Sequence, residues 1–331
     1  MTALSATNPT LLDLANRLDP DGKISKVVEI LNATNEILAD MTWMEGNLLT
    51  GHRTTVRTGI PAPTWRKMYG GVQPTKSTTR TITDNTGMLE AYAEVDKALA
   101  DLNGNSTEWM LSENLPHIEG MNQEVAQTLF YGNETTEPEA FTGLSPRYNS
   151  LSAENADNII NASGDSDRRS IWLGVWGPNT AHGIVPQGSQ AGLKMTNMGE
   201  VTIENVDGAG GRMQAYRTHY RWDVGLTLRD WRFWVRIANI DEPTVLADAS
   251  SGPDLPALMF EAMELIPNMG FGRPVFYMNR TLLTRLRQQL SAKVSESTLT
   301  IENVGGYRTT MFQGIPIRRC DVLNVDETAV A

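Results

Sequence analysis

Cysteine is nearly missing from this chain. One thiol, Cys320, in 331 residues excludes an intramolecular disulfide framework and any cysteine-built zinc site, and fits a reducing compartment. Histidine is scarce as well. His52, His117, His182 and His219 stand singly, with no HExxH or similar metal-ligand spacing. Positive charge is in deficit: 28 basic residues against 39 acidic ones leave a net −11, which argues against a surface that wraps nucleic acid. Long apolar runs are absent too. The longest uncharged window, Ser170 to Leu193, is interrupted by Pro178, Pro186 and five glycines, so it makes no membrane helix. Met1 to Pro9 has neither a basic nor an apolar signal region, and no signal peptide is expected.

Catalytic signatures are equally thin. Gly188-Ser189-Gln190-Ala191-Gly192 is not a GxSxG elbow, and Gly208-Ala209-Gly210-Gly211 lies between two strand-like segments where a phosphate cradle needs a strand and a helix. Cys320 follows Arg318-Arg319, cations that can activate a thiol, but the plainer reading is a small buried residue at a strand end. Glu134 with Glu137 and Glu139, or Asp165 with Asp167, could do acid/base work in a cleft, yet acid-rich loops are ordinarily just solvated. We expect no catalytic, cofactor-binding or metal-binding residues, and no enzyme.

What is present is a foldable chain, 40% hydrophobic and long enough to bury a large core. Asn8-Pro9 opens a short helix that stops near Leu18, and Ile24, Val27, Val28, Leu31 and Leu38 mark a second over about Lys23–Asp40. Thr54–Thr58 and Thr78–Thr83 read as two β-branched strand arms around a tip holding Pro61, Pro63, Trp65 and Gly70-Gly71. Leu111, Leu115, Ile118, Met121, Val125 and Leu129 at 3.6 spacing predict a helix over about Ser106–Tyr131, kinked or split at Pro116. Beyond Ser170 strands predominate, at Ile171–Trp176, Glu200–Val206, Arg212–Val224, Trp231–Ile240, Pro274–Met278, Ser297–Ile301, Arg308–Phe312 and Ile315–Arg319. Helices are expected at Leu255–Ile266 and Arg280–Leu290. The fold class is α+β.

Charge is divided along the chain. Gly46 to Thr83 carries Arg53, Arg57, Arg66, Lys67, Lys76 and Arg80 and no acid, whereas Asp84 to Asp167 holds 16 acids against Lys97 and Arg147. An exposed ion pair contributes only about 0–1 kcal/mol. Six cations on one arm facing an acidic partner can still act jointly and set the register between subunits. A two-stranded arm is marginal alone and has to lie on something. The tryptophans Trp172, Trp176, Trp222, Trp231 and Trp234 could form a sugar platform. The even spacing of Trp172 and Trp176 suits core packing better.

These features occur in an order that resembles a known family. An N-terminal arm, a basic two-stranded loop, a long acidic helix ending in Tyr131-Gly132-Asn133, and Phe141-Thr142-Gly143-Leu144-Ser145-Pro146-Arg147-Tyr148 are similar to major capsid proteins of tailed bacteriophages with the Hong Kong 97 fold, nearest the short-tailed branch. Supporting strings are Val175-Trp176-Gly177, Pro186 to Leu193 and Arg232 to Asp241. The resemblance implies an N-arm (1–45), an extended β-hairpin E-loop (46–83), a peripheral domain (84–155) with a spine helix at about 106–131, and an axial domain with returning peripheral strands (156–331).

It further implies a shell protein enclosing double-stranded DNA, which assembles as hexamers and pentamers in the host cytoplasm and ends in the virion capsid. The E-loop residues Arg53, Arg57, Trp65, Arg66, Lys67, Lys76 and Arg80 are expected to meet Glu108, Glu113, Glu119 and Glu124 of a neighbouring subunit. Implied partners are a portal protein, a cement or decoration protein, and a separate scaffold, since the segment before the hairpin is too short for a built-in one. Packaged DNA would be met at the inner face without sequence specificity, and no membrane is involved. Lys67 and Lys76 are the lysines available for a covalent crosslink, but a noncovalent shell is expected. Encapsulin-like compartment shells share the fold and are one alternative; a phage carbohydrate-active protein using the tryptophan-rich region is another, against which stands the absence of a convincing catalytic pair.

Overall fold

Strands in this chain are β-branched or aromatic runs, and helices are placed where apolar residues recur every three to four positions. The computed structural model describes residues 35–101, 106–189, 191–205, 210–245, 252–292, 299–304, 307–323 and 326–331. The helix read at Asn8–Leu18, the first part of the one read at Lys23–Asp40 and most of the turn near residue 208 lie outside them. The helices are α1 (Ile37–Asp40), α2 (Lys97–Ala100), α3 (Ser106–Tyr131), α4 (Leu255–Leu265) and α5 (Arg280–Ala292). The strands are β1 (Trp43–Glu45), β2 (Gly51–Gly59), β3 (Thr78–Asp96), β4 (Ile159–Asn161), β5 (Arg168–Trp176), β6 (Ala181–Val185), β7 (Lys194–Glu204), β8 (Arg212–Leu228), β9 (Trp234–Asp241), β10 (Arg273–Met278), β11 (Leu299–Val304), β12 (Tyr307–Phe312) and β13 (Ile315–Arg319).

The chain divides into two units, the larger made of Thr34–Gly87, Ala126–Ala191 and Val224–Ala331. Its sheet is built on β5, which pairs antiparallel with β9 and β10; β10 runs parallel to β13, and β12 and β11 follow antiparallel. β5 is buried on both faces from Ser170 to Trp176, as its nearly unbroken apolar run requires. One face, with Ile171, Leu173 and Val175, packs under Leu255 and Met259 of α4 and Leu282 and Leu286 of α5. The other face is aromatic. Trp172 lies 5.8 Å from Tyr148, and Trp176 meets Trp234 edge-on at 4.9 Å and donates to the Tyr277 hydroxyl at 2.7 Å.

A cation sits in that aromatic layer. Arg236 of β9 is paired with Trp172 in the sheet register, and its guanidinium stands 5.2 Å from the indole centroid. Its side chain is 2% exposed, and such a charge is tolerated only when paired and hydrogen-bonded. It donates to Glu327 at 2.8 Å, to the Tyr148 carbonyl at 2.7 Å and to Ser170 at 3.0 Å. Glu327 also accepts from Tyr131, at the end of α3, at 2.7 Å, and from Ser170. Val330 closes the same region by exchanging two bonds with the Asn239 side chain, at 2.9 and 3.0 Å.

The smaller unit comprises Met88–Val125 and Gly192–Asp223, with a third piece, Met1–Ala33, outside the described residues. β7 and β8 form a long antiparallel ribbon, and β3 lies beside β8. Ala93, Tyr220 and Met121 of α3 make a small core, and Glu94 pairs with Arg217 at 2.5 Å. Several acids of the acidic stretch are thus occupied within the fold, Glu90 among them, with the Arg221 guanidinium at 3.8 Å.

Most elements fall where the periodicities put them, and the departures have physical causes. α3 is one continuous helix, not two. Pro116 sits inside it on an exposed position and removes one backbone hydrogen bond without ending the helix. Only the later part of its apolar stripe is buried: Val125 and Leu129 are, whereas Leu111 and Leu115 are 60% and 50% exposed. β3 runs on to Asp96, because Leu89, Ala91, Ala93 and Val95 alternate with charged or polar residues at period two. β6 escaped reading since Ala181–Val185 contains a glycine and a histidine and is bounded by turn residues.

Arg236→Met alone would strand Glu327 as an unpaired buried carboxylate. It should lower the unfolding free energy by about 3–5 kcal/mol. Arg236→Met combined with Glu327→Leu should recover most of that loss, as urea denaturation of the three proteins will report.

Candidate assembly interface

β2 and β3 make the basic hairpin, with Arg53 opposite Thr83, Thr55 opposite Thr81 and Arg57 opposite Thr79 on one face. The alternate positions put Val56 opposite Arg80 and Thr54 opposite Ile82 on the other. The arm therefore presents cations from both sides: Arg53 and Arg57 on one, Arg80 on the second. Arg53 is oriented by a bond to the Thr83 hydroxyl at 3.3 Å and by Asn47, whose amide brackets its backbone at 2.7 and 2.8 Å. All six cations are exposed, and none makes an ion pair with an acid among the described residues.

The root is held far more firmly than the arm. β1 runs parallel to β6, and Gly46 N–H donates to the Val185 carbonyl at 2.8 Å. Asp84 is buried and paired with Arg147 at 2.8 Å, and that guanidinium also reaches the carbonyls of Thr142 and Leu226. Arg147 belongs to the Phe141–Tyr148 string. Gly143 of that string crosses the last turn of α3 so closely that a Cβ would stand 2.4 Å from the Thr128 carbonyl oxygen.

The tip, residues 60–77, has no regular structure and exposes large side chains. Trp65 and Tyr69 are fully exposed, with Met68 and Ile60 close to it. A turn closes from Lys67 to Gly70, with Tyr69 at φ 61°, and Arg66 donates back to the Gly70 carbonyl at 2.8 Å. Exposure of several large apolar groups together marks an interaction surface. The sequence reading names Trp65 alone of these; the signal for Ile60, Met68 and Tyr69 is their clustering around Pro61 and Gly70.

The acids assigned as partners lie on α3. Backbone positions 108 and 119 fall within about 20° of each other around the helix, and 113 and 124 lie about 140–160° from 108. The four therefore form two pairs on different sides, not one stripe. The side chains of Glu108 and Glu113 are outside the described residues. Glu124 is exposed, and Glu119 accepts from Gln123 at 2.9 Å. Among the described side chains of the same helix, the large apolar residues Leu111 and Leu115, one turn apart, are exposed.

Other candidate chemistry resolves into core packing. Trp172, Trp176 and Trp234 are buried and Trp222 and Trp231 half-buried, so three of the five tryptophans cannot contribute to an exposed sugar platform. Cys320 is buried, and burial raises its thiol pKa above the ordinary range, so little thiolate forms. Among the described residues no group of three or more metal-binding side chains converges, and no helix is long and apolar enough to cross a membrane.

A family model described as "Major capsid protein GP7" matches residues 19–331. A chain of the near-atomic cryo-electron-microscopy structure of bacteriophage Epsilon15 is 39% identical over the full length of both chains, with a TM-score of 0.78. The capsid of bacteriophage JBD30 is 10% identical, covers 97% of each chain and has a TM-score of 0.43. The SrpI encapsulin of Synechococcus elongatus PCC 7942 is 12% identical, with a TM-score of 0.44 over 70% of this chain and 97% of that one. Likenesses as distant as these last two carry no argument about function. No curated protein matches.

The hairpin root gives a direct check of its own geometry. A Cβ at Gly51 would stand 2.2 Å from the Asp84 carbonyl oxygen, backbone against backbone. Gly51→Val should cost about 2–3 kcal/mol. Limited proteolysis should then cut within 46–86 well before the rest of the chain.

Proposed function

Because this chain belongs to the GP7 family of major capsid proteins, we propose that its basic hairpin is the arm by which one subunit of the shell holds the next. The protein is a structural subunit of a bacteriophage icosahedral capsid, with the Hong Kong 97-type fold. In our reading the N-arm is 1–45, the E-loop 46–83, the peripheral domain 84–155 and the axial domain, with returning strands, 156–331.

The single observation that carries the proposal is a firmly rooted arm whose cations and aromatic tip have no acidic partner in their own described chain. Magnitudes assign the labour. An exposed ion pair gives about 0–1 kcal/mol, whereas burying a large apolar side chain gives about 2–3 kcal/mol. Trp65, Tyr69 and Met68 would therefore supply the affinity, seated on a neighbour near Leu111 and Leu115. Arg53, Arg57, Arg66, Lys67, Lys76 and Arg80 would set the register against Glu108, Glu113, Glu119 and Glu124. Weak contacts repeated around pentamers and hexamers close a stable shell while permitting correction during assembly.

The same reading includes a portal protein, a separate scaffold, a cement or decoration protein, and double-stranded DNA packaged against an acidic interior that does not hold it by sequence. Assembly would take place in the host cytoplasm, without catalysis by this chain and without covalent crosslinks. Reversal of Arg53, Arg57 and Arg80 to Glu should leave the subunit folded by circular dichroism and reduce sedimenting particles at least tenfold. Shells formed at normal yield would defeat the electrostatic part of the proposal.

A further inference from the structure

At the root of the hairpin two buried imidazoles meet edge-on. His52 of β2 and His182 of β6 have ring centroids 5.6 Å apart at an interplanar angle of 82°. His182 is fully buried, and neither of its ring nitrogens has a hydrogen-bond partner; Nδ1 of His52 has none either. Arg229, just beyond β8, stands at Nε2 of His52 at 3.1 Å. A guanidinium has no acceptor, so Arg229 donates and His52 Nε2 accepts, a bond that exists only while that nitrogen carries no proton.

The nearest acid bonds neither ring, although its buried Oδ2 has no hydrogen-bond partner. Asp84 of β3 lies opposite His52 in the register, but one of its oxygens is paired with Arg147 at 2.8 Å, and no carboxylate is hydrogen-bonded to either imidazole. The charged and titratable groups acting on the pair are Arg229, which disfavours protonation of both rings, Asp84, which favours it at His52, and His52 itself acting on His182.

We propose that His52 and His182 are a proton-operated catch, which holds the root of the β2–β3 hairpin closed while both rings are neutral and releases it when they take up protons. A proton on His52 removes the Arg229 bond and sets two cations side by side in a buried site. A proton on His182 adds a third.

The direction follows from burial. Desolvation first, and then Arg229, lower both pKa values below the ordinary 6.5, His182 to about 4. A depressed folded-state pKa contributes stability that is fully present above pH 6.5 and is lost as pH falls toward the folded value. The catch is thus closed at neutral pH and weakens from about pH 6.5 down to about pH 4.

Hydrogen–deuterium exchange on the full chain between pH 7.5 and 4, corrected for intrinsic exchange, tests the catch. Peptides covering 46–59 should lose protection at least tenfold as pH falls, while a reference peptide covering 168–176 keeps its own. His52→Gln with His182→Gln should flatten that dependence. Should the double variant fail to fold, ¹³C-histidine NMR of the unaltered protein decides: ring titration in the window where the root opens supports the catch, and two buried rings titrating near 6.5 overturn it. A root that stays protected to pH 4, or that opens in step with the reference peptide, overturns it as well.

Discussion

A guanidinium in the middle of an apolar sheet constrains much of the larger unit. Arg236 cannot remain in β9 uncompensated, and everything that satisfies it comes from distant sequence: Ser170 of β5, the Tyr148 carbonyl, and Glu327 near the end of the chain. Glu327 in turn receives Tyr131 from α3. One ionic node therefore joins the sheet, the helix end and the terminal segment. Such a pair contributes little net stability against an apolar replacement, but breaking it on one side is expensive, and it rejects arrangements in which these segments pack elsewhere.

The same economy of partners appears in reverse on the hairpin. Its root is over-determined, with Asp84 paired to Arg147, backbone bonds to β6 and a glycine pressed against a carbonyl. Its arm is left with cations on both faces and a bare aromatic tip. A rigid base with an unsatisfied end suits a subunit that must reach a copy of itself. In the proposed contact the apolar tip would supply most of the energy because water screens exposed charges, and the charges would supply orientation because they act at longer range. Two neutral histidines at the base add a pH limit to that rigidity.

Much of this was legible from residues alone. The 3.6 spacing of α3, the β-branched arms of the hairpin and the even spacing of Trp172 and Trp176 led to elements at nearly the right places, because local periodicity is imposed by local geometry. The order of those elements, with strings such as Phe141 to Tyr148, carried the family resemblance that the GP7 family and the Epsilon15 likeness bear out. The full length of β3 is hard to read from residues alone, because Glu90, Glu94 and Asp96 interrupt the apolar run and only the period-two alternation of Leu89, Ala91, Ala93 and Val95 marks the strand. Pro116 does not split α3, although it removes one backbone hydrogen bond from the helix interior.

The sequence by itself determined the element types, the acidic balance and the separation of basic arm from acidic body, all of which follow from composition and short-range pattern. Tertiary structure alone decided which charges are already spent. Glu90, Glu94 and Asp84 read as free acids in a string of letters, yet each has an arginine partner more than 60 residues away. It also decided that Leu111 and Leu115 stay exposed while Val125 and Leu129 are buried on one helix, and that His52 meets His182. Pairings over such distances depend on how sheets and helices stack, and stacking is set by the whole core at once, not by any window of the chain.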